Sequence, residues 1–175
     1  AFPFWSPDSQ SVGFFAEAKL KRIDIGGGQP QALADATLGR GGTWSPDGVI
    51  VFSAASLGPL LRIPASGGDA VAVTKVDVPR SSISDRFPQF LPGGRRFLFF
   101  SEMSGGTRGD LDDFNGDSKE TRLEFVESQQ AITPQDWSRD GRFLMYSVLS
   151  DLKVAGDLWV LPMEKGLKPF AMSCI

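Results

Sequence analysis

The sequence predicts an all-β protein built from four copies of one repeated unit. A short motif that begins with an aromatic residue occurs four times along the 175 residues. Each copy is followed by a short apolar run rich in β-branched and aromatic residues, as buried strands are. No apolar pattern with a helical period of 3.6 residues is visible, so no helix longer than about two turns is expected.

The repeated motif joins an aromatic anchor to a polar turn. The four copies are Trp5-Ser6-Pro7-Asp8-Ser9, Trp44-Ser45-Pro46-Asp47-Gly48, Phe90-Leu91-Pro92-Gly93-Gly94 and Trp137-Ser138-Arg139-Asp140-Gly141. Their anchors lie 39, 46 and 47 residues apart, and periods of about 40–45 residues are typical of four-stranded propeller blades. The sequence therefore predicts a β-propeller with four-stranded antiparallel blades at about residues 1–36, 37–80, 81–128 and 129–175.

Each part of the unit has a physical reason. Proline presets φ in the turn, aspartate bonds its own backbone, and glycine accepts a positive φ. The anchor before the turn is expected to pack between neighbouring blades as an apolar wedge. One sheet cannot bury both of its faces alone, whereas blades stacked around an axis can.

The third unit departs from the repeat. Residues 103–117 are polar and rich in glycine where a third strand is expected, which predicts a missing strand or a loop. After them, Asp117 and Glu120 resemble a capping box that would start a helix. The alternation of Thr121, Leu123 and Phe125 with charged residues favours a strand instead, and the repeat requires one there.

Closure of the ring is a separate question. Four blades of this width form either a small closed ring or about four-sevenths of a larger one, and no strand at the C-terminus is clearly left over to complete the first blade. We therefore expect this chain to be a portion of a larger propeller, or to need another polypeptide to close the ring. In an open arc, Phe4, Phe14 and Phe170 are expected to be exposed. The start at Ala1, without an initiator methionine, is likewise typical of a processed chain or a piece of a longer one.

The motif resembles TolB-like, WD-related propeller repeats. The resemblance is closer to the C-terminal propellers of acidobacterial membrane Ser/Thr protein kinases. It is carried by residues 87–100, 136–144 and 157–162, and the repeats together cover nearly the whole chain. It implies a module that binds a protein, peptide or ligand outside the cytoplasm, in the periplasm or beyond. The kinase motifs themselves are absent from the sequence.

The amino-acid composition excludes several kinds of catalytic and metal-binding site. The chain has no histidine and one cysteine, Cys174, which removes Ser-His-Asp and Cys-His nucleophile systems and the usual zinc sites. The net charge is −3 without a basic run, so no nucleic-acid partner is expected. No apolar segment is long enough to span a bilayer, so no direct membrane insertion is expected. No catalytic, cofactor-binding or metal-binding residue is assigned, and no cofactor is expected.

Three sequence patterns resemble ligand-binding or catalytic motifs but are interpreted as structural. The acidic cluster Asp110, Asp112, Asp113, Asn115 and Asp117 fails as a calcium loop, because Leu111 and Arg122 would stand at ligand positions; it is interpreted as a solvated loop. Ser150-Asp151-Leu152-Lys153 matches the Ser-x-x-Lys pattern but lacks the partners that acyl enzymes need. Gly26-Gly27-Gly28 is interpreted as a turn, because no helix follows it.

Two further sets of charged residues could have either a structural or a functional role. Asp8, Asp47 and Asp140 share one turn position and are expected to bond backbone rather than to act as acids or bases. Arg40, Arg80, Arg86 and Arg108 are placed in connections between strands, where they form either a basic rim at one end of the axis or a solvated surface.

Two functions remain open on the sequence. The first is a non-catalytic module for protein–protein interaction or ligand sensing. On this interpretation the chain is expected not to be an enzyme. The alternative is the substrate-gating propeller of a prolyl-oligopeptidase-type peptidase.

Overall fold

The computed structural model describes residues 2–76, 82–103, 106–113, 121–128, 132–148, 157–164 and 166–172, with side chains omitted at 82, 108–113 and 121–128. Within these residues the chain is all-β, and sixteen strands form four antiparallel sheets of four. Each sheet is a meander in which consecutive strands pair. The predicted fold class, a β-propeller with four-stranded antiparallel blades, is confirmed.

The four sheets follow one another along the chain. Sheet one contains β1 (Phe4–Trp5), β2 (Ser11–Ala16), β3 (Lys19–Asp24) and β4 (Gln31–Asp35). Sheet two contains β5 (Gly42–Trp44), β6 (Val49–Ser53), β7 (Leu60–Pro64) and β8 (Val71–Ala72). Sheet three contains β9 (Ser82–Phe90), β10 (Arg96–Met103), β11 (Gly106–Asp113) and β12 (Thr121–Ser128). Sheet four contains β13 (Ile132–Trp137), β14 (Phe143–Val148), β15 (Asp157–Pro162) and β16 (Phe170–Ala171).

Successive sheets pack face to face around a common axis. The first strands of the sheets, β1, β5, β9 and β13, contact one another in that order and are therefore the innermost. Three apolar clusters fill the spaces between sheets one and two, two and three, and three and four. Among the described residues no such cluster joins sheets four and one. The described blades therefore form an arc with two outer faces.

Alternation along the second strand of each blade explains this stacking. In β6, Ile50 and Phe52 pack on sheet one, while Val51 between them packs on sheet three. In β10, Phe97 likewise belongs to the cluster with sheet two and Leu98 to the cluster with sheet four. Successive side chains of a strand point to opposite faces. Strands that are buried on both faces consequently have continuous apolar sequences, as the apolar run after each anchor does.

The aromatic anchors act as wedges in three of the four blades. Trp44, Phe90 and Trp137 pack against the apolar clusters that their sheets share with the preceding sheet. Trp5 does not, and its side chain is 60% exposed. The expectation of an interblade wedge is thus wrong for Trp5 within the described structure, because no sheet precedes sheet one there.

Phe4 takes over part of the interblade packing in the first blade. It was expected to be exposed in an open arc, but it is half-buried and packs on the cluster between sheets one and two. A Cβ atom at Gly13 would lie 2.3 Å from its ring, and one at Gly42 would lie 2.4 Å from it. The two glycines therefore make the slot that holds Phe4. Phe14 was also expected to be exposed but is half-buried, whereas Phe170 is 51% exposed, as expected for an arc.

The polar turns after the anchors are held by a repeated hydrogen-bond pattern. The Ser6 hydroxyl donates to the Asp8 carboxylate (2.6 Å) and accepts from the backbone N–H of Ser11 (2.8 Å). The Asp8 carboxylate also accepts from the backbone N–H of Gln10 (3.0 Å). In the fourth blade, Ser138 and Asp140 make the same contacts. The expectation that these aspartates bond backbone is confirmed for Asp8 and Asp140, and is wrong for Asp47, whose carboxylate accepts no hydrogen bond among the described residues.

Asp140→Asn is expected to lower the melting temperature at neutral pH, and the loss should vanish in acid. Hydrogen bonds from Ser138 and Arg142 lower the pKa of Asp140 from 3.8 to about 2. A carboxyl whose pKa is lower in the folded state stabilises the fold above its unfolded pKa, and loses this effect as the pH falls through its folded pKa. Melting curves of the two proteins should therefore converge between pH 3.8 and about pH 2.

Asp47→Asn is the matched control for this pH series. It occupies the same turn position in the second blade, and no hydrogen bond reaches its carboxylate among the described residues. Its melting temperature should follow the wild type throughout. A deficit of Asp140→Asn that persists at about pH 2 would contradict the assignment.

The structure of sheet three differs from several expectations drawn from the sequence. The stretch expected to lack a strand contains β11 (Gly106–Asp113), paired along its length with β10. Asp110, Asp112 and Asp113 lie in this strand, not in a solvated loop, while 114–120 lie outside the described residues. The expected strand, and not the helix, is confirmed by β12 (Thr121–Ser128).

Gly27 and Gly28 have positive φ, and the N–H of Gly27 donates to the carbonyl of Asp24 (3.0 Å), so the predicted glycine turn is confirmed. Ser150 and Lys153 lie outside the described residues. In the part of the chain that is described, no helix is long and apolar enough to cross a membrane. No group of three potential metal ligands occurs there either.

Candidate functional site

Residues from all four sheets line a cavity at the axis. Its volume is about 300 Å³, and residues 2–4, 41–43, 87–89 and 133–135 line it. Every described blade thus contributes residues from its first strand or from the segment just before it. Because ligand sites in proteins are concave and combine apolar walls with a few polar groups, this cavity is a candidate binding site.

Close backbone approach shapes the wall of this axial cavity. Phe87 has a positive φ of 52°, next to a register shift between β9 and β10. Its N–H donates to the carbonyl of Arg40 (2.8 Å), and a Cβ atom at Gly41 would lie 3.0 Å from its Cα. Residues with unusual φ are held by surrounding structure and cluster at ligand sites. The Phe87 ring consequently meets the ring of Phe2 edge to face, with centroids 5.4 Å apart.

A second cavity adjoins the first at the other side of Phe87. Its volume is about 190 Å³, and it shares Phe87 and Thr133 with the axial cavity. Its other lining residues are Arg40, Arg86, Phe100, Glu102, Thr107 and Ile132. It lies where the innermost strands begin, at the end of the axis opposite the polar turns. The two cavities give the candidate site an apolar part and a charged part.

Arg86 is fixed in the charged part by three contacts. Its guanidinium donates to the carbonyl of Ser56 (2.8 Å) and to the hydroxyl of Ser84 (3.2 Å), and it forms an ion pair with Glu102. Burial lowers the pKa of Arg86; Glu102 opposes this and Arg40 adds to it. Arg86 remains charged because the pKa of arginine starts far above neutrality. Both arginines line this cavity.

Arg40 is the less satisfied of the two arginines. Its Nε is buried and has no hydrogen-bond partner among the described residues. A buried donor without a partner costs free energy, typically about 1–3 kcal/mol. With one carboxylate, from Glu102, facing two guanidinium groups, the charged part carries a net positive charge. An anionic group that accepts from Arg40 would supply both the missing hydrogen bond and the missing charge.

A buried polar network holds the strand that carries Arg86. The carboxylate of Asp85 accepts hydrogen bonds from the hydroxyls of Thr74 (2.6 Å) and Ser101 (2.8 Å). The backbone N–H of Asp85 donates to the carbonyl of Gly58 (3.0 Å), in a loop of sheet two. Hydrogen bonds to charged groups are the stronger ones in proteins. Sequence reasoning did not single out Asp85, because an isolated aspartate carries no pattern that predicts burial.

The structure changes the grouping of the predicted arginines. Arg40 and Arg86 meet at the axis, as a basic rim requires, although Arg86 lies within β9 and not in a connection. Arg108 lies within β11, also against expectation, and its side chain is not described. Arg80 lies outside the described residues. The basic feature is therefore a pair of arginines inside the arc, brought together by β9 and the connection before β5.

A third cavity is a weaker candidate. It has a volume of about 550 Å³ and lies between the polar turns of the first two blades. Its polar side chains already satisfy one another: Ser11 donates to Asp24 (2.6 Å), and Arg22 donates to the carbonyl of Ala65 (2.9 Å). A ligand there would have to displace existing hydrogen bonds. The charged part of the candidate site, in contrast, contains a donor, Nε of Arg40, that has no partner among the described residues.

Solved structures of similar shape support the propeller fold. An oligogalacturonate lyase in complex with manganese superposes with a TM-score of 0.67 at 13% identity, covering 95% of this chain and 51% of the lyase. The calcium-binding protein regucalcin from Agrobacterium tumefaciens superposes with a TM-score of 0.66 at 15% identity, covering 97% and 57%. A puromycin hydrolase mutant in complex with PGG superposes with a TM-score of 0.68 at 14% identity, covering 98% and 32%.

The comparisons define the class of protein and nothing narrower. At these identities the likeness shows the fold alone, so the chain is of the β-propeller class. It spans about half the length of the lyase and of regucalcin, and a third of the hydrolase. No protein-family model matches the chain, and no curated protein sequence matches it. The narrower resemblance to TolB-like and kinase-linked propellers therefore has no support from these comparisons.

The expectation that the chain is not an enzyme has to be corrected. Two of these structural neighbours are enzymes by name, a lyase and a hydrolase. The absence of histidine excludes only the nucleophile systems that need an imidazole. Carboxylates, arginines or bound metal ions can catalyse reactions without histidine, and a propeller can also belong to a protein whose catalytic residues lie in a separate domain. A propeller without histidine is therefore no ground for excluding an enzyme.

Proposed function

We propose that the chain binds a ligand with a carboxylate group in the candidate site formed by the two adjoining cavities, with Arg40 and Arg86 holding the carboxylate. A short peptide with a free C-terminus and an apolar last side chain fits this description. The observation that carries the proposal is the buried Nε of Arg40, which has no hydrogen-bond partner in the described part of the chain and lines the same cavity as the Arg86–Glu102 ion pair. Guanidinium groups bind carboxylates with charge-assisted, often bidentate hydrogen bonds.

The rest of the site supports an apolar group next to the carboxylate. Phe87 and Phe100 line the cavity beside the arginines, and Phe2 extends the aromatic wall along the axis. Gln89 supplies an amide further along the same wall, whereas the amide of Gln135 there already donates to the hydroxyl of Ser147 (3.0 Å). A wall of this composition suits a peptide, whose backbone needs hydrogen bonds and whose side chains need apolar contact.

Binding can be measured with matched peptides. N-acetylated tripeptides that end in phenylalanine or leucine are titrated by calorimetry, each with a free C-terminal carboxylate and as its C-terminal amide. We expect the acid forms to bind at least about tenfold more tightly, since hydrogen bonds between charged groups contribute about 1.5–3 kcal/mol. Equal affinity of acids and amides would exclude the proposed role of the arginines.

Arg40→Gln is expected to remove most of the preference for the acid form, with a loss of affinity of about tenfold or more. Arg40 is the better residue to change, because Arg86 is paired with Glu102 and its loss would leave a partly buried carboxylate unpaired. Arg95→Gln is the control, since Arg95 is exposed in the polar turn of blade three, at the other end of the propeller. Equal losses in both variants would indicate a general effect of charge.

A second candidate function is the substrate-gating propeller of a prolyl-oligopeptidase-type peptidase. The likeness to puromycin hydrolase favours it, because the chain matches a third of that longer protein. The reading frame that encodes the chain discriminates between the candidates. A Gly-x-Ser-x-Gly hydrolase domain downstream supports the peptidase, whereas a kinase domain and a membrane span upstream support a sensor of the kind that the TolB-like resemblance implies.

A further inference from the structure

The charged part of the candidate site lies in the gap between sheets three and four. Phe100 and Glu102 are two residues apart in β10, so their side chains point to the same face of sheet three. Arg86 pairs with Phe100 and Thr107 pairs with Glu102, which places their side chains on that face as well. This face packs on sheet four, because Phe100 belongs to the apolar cluster between the two sheets. The charged part is therefore an unfilled end of that interblade core.

Ile132 forms the apolar wall of this gap on the side of sheet four. It is the first residue of β13 and is 4% exposed, and it belongs to the same apolar cluster as Phe100, which is 1% exposed. Both side chains line the charged part beside Arg40 and Arg86. Side chains in a close-packed core have little freedom to move aside. The wall next to the two arginines consequently has a fixed size.

The volume of the charged part limits the group that it can hold. It measures about 190 Å³, and an engineered apolar cavity of about 150 Å³ holds one benzene molecule. A carboxylate with a phenyl ring beside it fills a space of this size, whereas an indole ring is too large. A methyl side chain would leave most of the apolar wall without contacts, which forfeits dispersion energy. The rest of a peptide would continue into the axial cavity, which shares Phe87 and Thr133 with the charged part.

We propose that the charged part selects carboxylate ligands whose neighbouring side chain is about the size of a phenyl ring, and that Ile132 sets this upper limit. The inference rests on the proposed function, because that function assigns the carboxylate to Arg40 and Arg86. Ile132 acts through the volume of its side chain, whereas the arginines act through charge. Substitutions can therefore separate the choice of side chain from the recognition of the carboxylate.

The test uses N-acetylated tripeptides that end in alanine, phenylalanine or tryptophan, each titrated by calorimetry as the acid and as the amide. We expect the phenylalanine acid to bind the unchanged chain at least about tenfold more tightly than the other two acids, since one misfitting methylene in an apolar pocket already discriminates by about tenfold. Ile132→Ala should admit the indole ring and reduce the preference for phenylalanine over tryptophan by about tenfold. Its preference for acids over amides should remain, because both arginines are unchanged.

Leu144→Ala is the matched control. Leu144 is fully buried in the same apolar cluster but is not among the residues that line the charged part. Its truncation removes similar packing and should leave the preference between phenylalanine and tryptophan unchanged. Ile132→Val and Leu144→Val, which each remove one methylene, make the same comparison if circular dichroism shows that an alanine variant has lost its strands. For Ile132→Val the preference should fall by about threefold.

The outcomes separate this inference from the proposed function. If every variant prefers acids over amides and the Ile132 variants keep the wild-type choice between phenylalanine and tryptophan, the inference is wrong and the proposed function stands. Equal changes in the Ile132 and Leu144 variants would also overturn the inference, because they would indicate a general loosening of the cluster. Equal binding of acids and amides by the unchanged chain would overturn the proposed function, and this inference with it.

Discussion

Trp44→Ala is expected to lower the free energy of unfolding by about 3 kcal/mol, and Trp5→Ala by less than about 1 kcal/mol. Truncating a buried aromatic residue typically costs about 3–5 kcal/mol, and Trp44 is partly buried against the cluster between sheets one and two. Trp5 stands at the same position of the repeat but is 60% exposed. The pair therefore isolates the contribution of a preceding sheet from that of the residue type.

Denaturant titrations followed by circular dichroism measure both losses. They should be run at two protein concentrations, because any contribution of Trp5 to association depends on concentration, whereas the loss at Trp44 does not. Equal losses at low concentration would show that the anchor is not stabilised by interblade packing. A larger loss for Trp5 would place the first blade differently from the structure described above.

Gly94→Ala is expected to cost about 2–5 kcal/mol of unfolding free energy. Gly94 has a φ of +68°, and a Cβ atom there would lie 2.3 Å from Cδ of Pro46 in the neighbouring blade. The left-handed conformation costs a residue with a side chain about 1–2 kcal/mol, and overpacking typically adds about 1–3 kcal/mol. The polar turns of blades two and three touch at this point, so the substitution strains two blades.

Gly48→Ala separates the two causes. Gly48 has the same turn position and a φ of +76°, but a Cβ atom there meets nothing within 4 Å. Its loss should therefore be limited to the conformational cost of about 1–2 kcal/mol. Thermal or denaturant unfolding of both variants measures the difference. If Gly48→Ala proves as harmful as Gly94→Ala, the contact between the turns has no energetic role.

The candidate site explains why function was harder to predict than fold. Arg40 and Arg86 were recognised as members of a loose set of four arginines, but 46 residues separate them in the sequence. Their approach depends on the positive φ of Phe87 and on its hydrogen bond to Arg40. The buried carboxylate of Asp85, which anchors β9, likewise has partners 11 and 16 residues away. No local pattern encodes these contacts.

The sequence by itself determined the repeat, the number of described blades and the chemistry of their turns. These features are local: Pro, Asp and Gly act on their own backbone, and alternate residues of a strand face opposite sides whatever surrounds them. Only the tertiary structure decided which anchors are wedges, where β11 runs, and which arginines meet at the axis. These outcomes depend on neighbours distant in the chain. Trp5 and Trp44 carry the same local signal, and the presence or absence of a preceding sheet alone makes one exposed and the other part of the core.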